Sequence, residues 1–512
     1  MKHAPLTPIP TPTLPLKGRE LISSPFKGRE RCSSPFKGEA GRGMGNVFHA
    51  KFFAFCIGAF TVLGFAPFGL FPLPFLTLAW LFRTWRRAAS PYQAAWQGLA
   101  WGLGFFLTGV SWIYVSLHDV GGMAAPLAAV ATFLFCAYLA LFPALAGFMF
   151  SRWRQNTLWR DVPLAAGCWT LTELLRGYAL TGFPWLALGY SQTPPSPLAG
   201  FAPVLGGEGI GFLVALIAAF LALGLRRHFI VASTSIAVLL ATGFMLRGIA
   251  WTQPVGEPLT VALLQGNIPQ SLKWDPKRLS LSMDTYQSLA HAHPAQLTVL
   301  PETALPLMLS DVPHNFLRTF IRHGDVLLGV AIPASQRSYA NGAVGITQDF
   351  QLQTYAKAHL VPFGEFIPPG FSWFFSLVDI PMSGFTPGPS GQRPLMLSGQ
   401  KVMPNICFED LFGEELLHAL PEATLFINLS NTAWFGHSLA QPQHLQIARM
   451  RALETGRPML RATNTGMTAA ILPDGTVQAV LPPFVTDALT VSVSGYSGLT
   501  PYVRWRTALS SR

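Results

Sequence analysis

"KVMPNICFED" (401–410) begins as a strand and ends in reactive groups. Its apolar run closes on Cys407, the only cysteine in the second half of the chain, with Glu409 and Asp410 just beyond. A lone thiol at the end of such a run is either a small core residue or a nucleophile. The surroundings bear on the choice. Strand-like runs recur at "LTVALLQGN" (259–267), "QLTVLPE" (296–302), "DVLLGVAI" (325–332), "TLFINLSN" (424–431) and "MTAAILP" (467–473), and helical patterns fill 278–292 and 442–456. Strands that are apolar on both faces and alternate with helices predict an α/β layered sandwich. In such sheets reactive residues collect where strands end. Glu302 follows "TVLP", Lys357 opens "KAHLVPFGEF" and Cys407 sits in "NICFED".

Each residue alone has an ordinary explanation: a cap, a solvated lysine, a core cysteine. Together they form a chemically complete set. A thiol of ordinary pKa, about 8.5, needs a base or a cation to attack near neutral pH. Glu302 can take its proton. Lys357, with the backbone N–H of Phe408, can stabilise a thiolate and the oxyanion of a tetrahedral intermediate.

The rest of the chain has a different character. Half of its 512 residues are hydrophobic, 12% are charged, and mean hydropathy is +0.37. Charged content so far below the roughly 25% of soluble domains indicates a membrane protein. Apolar stretches run over approximately 52–66, 70–82, 92–116, 124–150, 163–180, 204–224 and 229–247. The division predicted is a membrane domain of about seven helices over 50–250 and a catalytic α/β domain over 255–495. Basic clusters at Lys51, Arg83/Arg86/Arg87, Arg152/Arg154/Arg160 and Arg226/Arg227 fall on one side if 52–82 is a hairpin. The positive-inside rule then places the N-terminus in the cytoplasm and everything after 250 in the periplasm of a bacterial inner membrane. Glu173 and Arg176, three apart inside an apolar stretch, are expected to neutralise one another. In an oxidising compartment an unpartnered Cys407 reads more readily as functional.

The net charge of +11 lies largely in the first 50 residues and in short loops, which argues against a nucleic-acid face. Residues 1–43 carry "PLKGRE", "PFKGRE" and "PFKGEA" from Pro15, Pro25 and Pro35, a repeat too polar to build a core, and Met44 is the expected true start. No HExxH, CxxC, P-loop or GxSxG occurs, and "HAH" (291–293) is a weak metal signal, so neither a metal nor a cofactor is expected.

Glu302, Lys357 and Cys407, in that order and context, resemble the nitrilase (carbon–nitrogen hydrolase) superfamily. Joined to a membrane half, they resemble its apolipoprotein N-acyltransferase family. The matching stretches are "QGNIPQSLKW" (265–274), "PETALP" (301–306), "KAHLVPFGEF" (357–366), "ICFED" (406–410), "NTAWFG" (431–436) and "ARMRALETGRPMLRATNTG" (448–466), with "SWIYVSLHDVGGM" (111–123) and "LTGFPWLALGYSQ" (180–192) in the membrane half. The resemblance covers about 50–502. It implies an α-β-β-α sandwich, with Glu302 as base, Lys357 as oxyanion and thiolate stabiliser, and Cys407 as nucleophile. Glu365 and Glu409 are implied as supporting acids, and Trp274 as part of the substrate cleft. Phe408 stands where the family usually has Tyr, and Thr432 where Asp is expected. A last membrane span is also expected, yet 496–512 ends in "VRWRTALSSR", too short to supply one.

The implied reaction moves an acyl chain from the sn-1 position of a phospholipid, through a thioester on Cys407, to the α-amino group of the diacylglyceryl-cysteine of an apolipoprotein. A membrane-tethered amidase and an inactive scaffold are the alternatives. "PPGFSWFFSLVDIPMSGF" (368–385) is either a core helix or a loop that dips into the lipid, with Trp373, Phe374 and Phe375 lining its entrance.

Overall fold

The computed structural model describes residues 39–224, 228–270, 279–335, 338–368, 370 and 384–510. Contacts divide the chain into two units, Met1–Phe48 and His49–Arg512.

The first half of the second unit is helical: α1 (His49–Gly64), α2 (Leu73–Arg87), α3 (Pro91–Gly109), α4 (Ala125–Trp153), α5 (Leu158–Tyr178), α6 (Ala202–Ala219) and α7 (Phe229–Leu246). Proline in the first turn of α2, α3 and α4 starts helices where no N–H is needed. The Ser90 hydroxyl caps α3 by accepting from the backbone N–H of Gln93 at 3.2 Å. Where α1 and α3 cross, only glycine fits. A Cβ on Gly58 would lie 1.9 Å from the Trp101 carbonyl, and one on Gly104 would lie 1.9 Å from that of Phe55.

Among the described residues three helices are long and apolar enough to cross a membrane: Ala125–Trp153, Pro197–Gly224 and Phe229–Leu246. A fourth span results if Pro91–Gly109 and Trp112–Val120, bent by 51°, count as one. α2, with 15 residues and three arginines, falls short of a bilayer core of about 30 Å at about 1.5 Å per residue. Glu173, half-buried, pairs with the buried Arg176 at 3.6 Å. Arg176 also donates to the carbonyls of Phe183 and Trp185, at 2.6 and 2.7 Å, so a buried cation is satisfied on every side.

The second half is two face-packed sheets. The first joins β1 (Gln253–Gln265), β2 (Leu297–Val299), β3 (Leu305–Met308), β4 (Asp325–Ser335), β5 (Ser338–Ile346), β6 (Leu352–Ala356) and β13 (Asp487–Ser497), in the order β13-β1-β2-β4-β5-β6 with β3 on β4. The second joins β7 (Leu395–Leu397), β8 (Gln400–Ile406), β9 (Leu425–Ser430), β10 (Met459–Thr463), β11 (Ala469–Ile471) and β12 (Val477–Val480), in the order β12-β11-β10-β9-β8-β7. Each has a parallel centre: β1, β2 and β4 in one, β8, β9 and β10 in the other. Val261, Leu263, Val299 and Leu327 meet Val402, Ile427 and Leu460 between the sheets. α8 (Leu279–Ala292) and α9 (His314–Phe320) cover the outer face of the first sheet through Tyr286, Phe316 and Phe320. The layers are therefore α-β-β-α, as the alternation of strands and helices predicts.

The fourth layer is shared. α10 (Ala440–Thr455) turns Leu445, Ala448 and Ala452 to the sandwich and Ile447, Met450 and Leu453 to the core of the helical half. A helix buried on both sides has no polar face to spare, so its Gln443, His444, Arg451 and Glu454 are buried as well. The end of the chain forms α11 (Pro501–Ser510), with Tyr502 and Val503 in the sandwich core and the Trp505 indole donating to the Val204 carbonyl at 2.8 Å.

Candidate active site

Each residue of the expected triad sits where a strand gives out. β8 ends at Ile406, and Cys407 opens a short 3₁₀ turn, Cys407–Leu411. At Cys407 the backbone takes φ = +54°, a left-handed conformation that a residue with a Cβ adopts at some cost. The turn reverses the chain abruptly at the thiol. Behind it, the Asn428 amide donates to the Cys407 carbonyl at 3.2 Å. Asp410 is held between the Arg461 guanidinium (2.8 Å) and the imidazole of His444 (2.7 Å). Burial first, then Arg461, pushes His444 below the usual histidine range, so it is neutral there.

Glu302 lies in the turn between β2 and β3 and is 7% exposed. Its Oε1 accepts from the Asn341 amide at 2.7 Å and lies 3.5 Å from Lys357 Nζ. Its Oε2 accepts from the backbone N–H of Asn431 at 2.8 Å. Lys357 follows β6 directly and is 1% exposed; its own N–H donates to the Asn341 carbonyl at 2.8 Å. Its ammonium lies 2.9 Å from Glu365. Burial alone would lower the Lys357 pKa, but Glu365 and then Glu302 outweigh it and hold the group above the usual lysine range. Lys357 is thus a fixed cation, whose stability contribution persists until pH rises beyond the lysine range.

The charges of Glu302, Lys357 and Glu365 all bear on the Cys407 thiol. Burial, and after it Glu302, pushes that thiol up, and the pull of Lys357 in the other direction does not compensate. The resting nucleophile is therefore a thiol, and it needs its proton removed during attack.

Glu365 is more closely engaged than a remote supporting acid. It bonds Lys357, accepts from the Asn341 amide at 2.8 Å, and takes the Val361 N–H on Oε2 at 2.8 Å. Glu409 ties two strand ends together. Its oxygens accept from Ile406 N (2.7 Å), Ala358 N (2.7 Å), His359 N (3.2 Å) and the Tyr355 hydroxyl (2.9 Å). Phe408 packs with Phe412 and His359, and with Phe183 of the helical half, 6.5 Å between ring centres. Trp274 lies outside the described residues, as do 369 and 371–383 of the apolar stretch 368–385. Sequence reasoning missed Asn341, Asn431 and Tyr355. The available signal was an asparagine inside the otherwise apolar "SYANGAVGI" (338–346), and for Asn431 and Tyr355 it was weaker still.

Burial pushes Glu409 up to about 7, against Lys357 and the N–H groups of Ile406, His359 and Ala358. Three of its four contacts are with backbone N–H groups that can only donate, so protonation weakens those bonds and loosens the join between Lys357 and Cys407. Acylation of Cys407 should therefore fall as pH drops through about 7. Glu409→Gln should lose that limb and stay roughly tenfold to a hundredfold slow throughout, as expected when a buried acceptor is lost. The pH dependence of acylation rate in both proteins checks this.

Residues 57–220 match the apolipoprotein N-acyltransferase N-terminal domain family, and residues 260–502 match the carbon-nitrogen hydrolase family. The apolipoprotein N-acyltransferase of Nitrosomonas europaea is 48% identical over 470 residues, covering 89% of this chain and 93% of that protein. The apolipoprotein N-acyltransferase of Ralstonia nicotianae is 46% identical over 463 residues, covering 88% of each chain. Among solved structures, an amidase from Nesterenkonia sp. aligns at 19% identity and a TM-score of 0.35, over 50% of this chain and 97% of its own. With relatives of that identity along nearly the whole sequence, and both halves matched in order, the chain belongs to the apolipoprotein N-acyltransferase family.

Proposed function

We propose that the chain transfers an acyl group from a membrane phospholipid to a lipoprotein, through a thioester on Cys407. The observation that carries the reading is a half-buried thiol at a left-handed strand end, under the charges of a carboxylate and a fixed cation, in a sandwich whose outer helix is also core to the apolar helical half.

Glu302 removes the thiol proton as sulfur adds to the sn-1 ester carbonyl. The negative charge that develops on oxygen meets the Lys357 ammonium and the backbone N–H of Phe408. Collapse of the intermediate breaks the ester C–O bond, and the proton on Glu302 goes to the departing lysophospholipid. In the second half the α-amine of a diacylglyceryl-cysteine attacks the thioester, Glu302 takes its proton, and Cys407 leaves as the thiol. Two modest barriers replace one high one, because a thioester is more open to amines than the ester it came from.

Both substrates are lipids, which accounts for the helices. With the apolar helices in the bilayer, the basic positions at Lys51, Arg83 to Arg87 and Arg152 to Arg160 favour the cytoplasmic side, and the sandwich then faces the periplasm.

The test uses the full chain in lipid discs with phospholipid labelled in the sn-1 or the sn-2 chain, and a diacylglyceryl-cysteine peptide with a free or acetylated α-amine. Transfer of the sn-1 label alone, to the free amine alone, is the expected result. Release of labelled fatty acid with no peptide labelling would identify a hydrolase instead.

A further inference from the structure

The pair Glu302 and Glu365 presents a physical problem. Two buried carboxylates share one lysine, and the closer of them, Glu365, lies at 2.9 Å while Glu302 lies at 3.5 Å. Nothing in the ion pairing alone keeps Glu302 from closing the remaining distance. Were it to do so, its lone pairs would be taken up by Lys357 and it would serve poorly as a base for Cys407.

We infer that Asn341 is the positioning residue that prevents this, by holding Glu302 and Glu365 apart on a single amide. Both hydrogens of its side-chain NH₂ are spent on them: Nδ2 donates to Glu302 Oε1 at 2.7 Å and to Glu365 Oε1 at 2.8 Å. Those contacts fix which way the amide points, since a flipped group would set Oδ1 against two carboxylate oxygens. The same residue fixes the lysine through its backbone, whose carbonyl accepts from Lys357 N at 2.8 Å. One position in β5 thus sets all three charged groups relative to one another. It is anchored in register, facing Ala331 of β4, and it is 2% exposed. With Asn341 on Oε1 and Asn431 N on Oε2, Glu302 is held from both ends.

A packing role and a positioning role predict opposite orders of damage. Aspartate fills the space of asparagine, whereas alanine leaves a void, so packing alone makes Asn341→Ala the worse variant. Positioning makes Asn341→Asp the worse one. It replaces the shared donor by a third carboxylate among Glu302, Glu365 and the thiol, with Lys357 the one cation paired to those acids among the described residues.

The positioning role rests on the proposed triad chemistry but not on the lipid substrates, so the probe is soluble. The full chain in detergent is acylated with p-nitrophenyl butyrate, and the burst of p-nitrophenol is followed well above the pH range in which Glu409 titrates. Asn341→Asp should slow the burst by about a hundredfold and Asn341→Ala by about tenfold, out of the 10²–10⁴ that a general base supplies. KM for the ester should stay within about twofold, since Asn341 acts on the base and not on the ester. Melting of each variant is recorded alongside, and the bursts are compared at a temperature where all three proteins are folded. A slower burst in Asn341→Ala than in Asn341→Asp, or equal bursts in all three proteins, would overturn the inference while leaving the proposed transferase intact. A wild-type chain with no burst would remove the base that Asn341 is said to position, and the inference with it.

Discussion

Glu302→Gln should leave a folded protein that forms thioester at least about a hundredfold more slowly, and more nearly 10⁴-fold if the base is needed for every attack. The reason is the state of the nucleophile. Burial and Glu302 push the Cys407 thiol up, so no standing thiolate is available to attack unaided. Glutamine keeps the shape and can still accept from Asn341 or from Asn431 N, as Glu302 does at 2.7 and 2.8 Å. It cannot accept the proton. Removing the charge also relieves the thiol of its second-largest upward influence, so alkylation of Cys407 by iodoacetamide should become faster in this variant while acylation becomes slower. Rates of both reactions at the Cys407 peptide, read by mass spectrometry, check the two directions together. A variant that acylates at the wild-type rate would exclude Glu302 as the base.

Lys357→Met should damage both rate and stability. The side chain is 1% exposed, and its ammonium stands between Glu302 at 3.5 Å and Glu365 at 2.9 Å. Methionine retains the length and the packing but leaves two buried carboxylates facing one another across a single asparagine. Breaking a buried ion pair by removing one partner typically costs about 3–5 kcal/mol. Part of that cost is avoided if one carboxylate takes up a proton, which makes the loss smaller at low pH. The variant should therefore melt well below wild type near neutral pH and approach it on acidification. Acylation should fall by about 10²–10³, the usual effect of losing an oxyanion donor. Melting curves at several pH values separate this from a simple packing defect, whose effect would not depend on pH.

How much of the fold and site was legible in the sequence depends on the kind of signal. The layered sandwich was legible, because two-sided apolar runs such as "LTVALLQGN" and "TLFINLSN" have the length, β-branched content and turn-forming flanks of buried strands. The reactive strand ends were legible too: Glu302, Lys357 and Cys407 are the polar residues at which those runs stop. The Glu173–Arg176 pair was legible from its i, i+3 spacing. What the sequence could not express was which separate segments share a partner. Asn341 is one polar residue inside "SYANGAVGI", and its meaning appears only when β5 lies between the turn bearing Glu302 and the end of β6. Glu409 looked like one more acid after the cysteine, yet its donors come from Tyr355, Ala358 and His359, about fifty positions earlier. α10 read as an ordinary helix over 442–456, and nothing in its own pattern says that it is buried from both sides. Its role as the layer common to both halves comes from packing alone.

The central claim, that acyl transfer passes through Cys407, is tested most directly by trapping the intermediate. The full chain in lipid discs is given phospholipid labelled in the sn-1 chain and no acceptor peptide, then digested and searched for the peptide that contains Cys407. That peptide should carry the acyl chain, neutral hydroxylamine should remove it, and Cys407→Ala should show none. Turnover of phospholipid by wild type, with the Cys407 peptide unmodified and Cys407→Ala equally active, would contradict the claim.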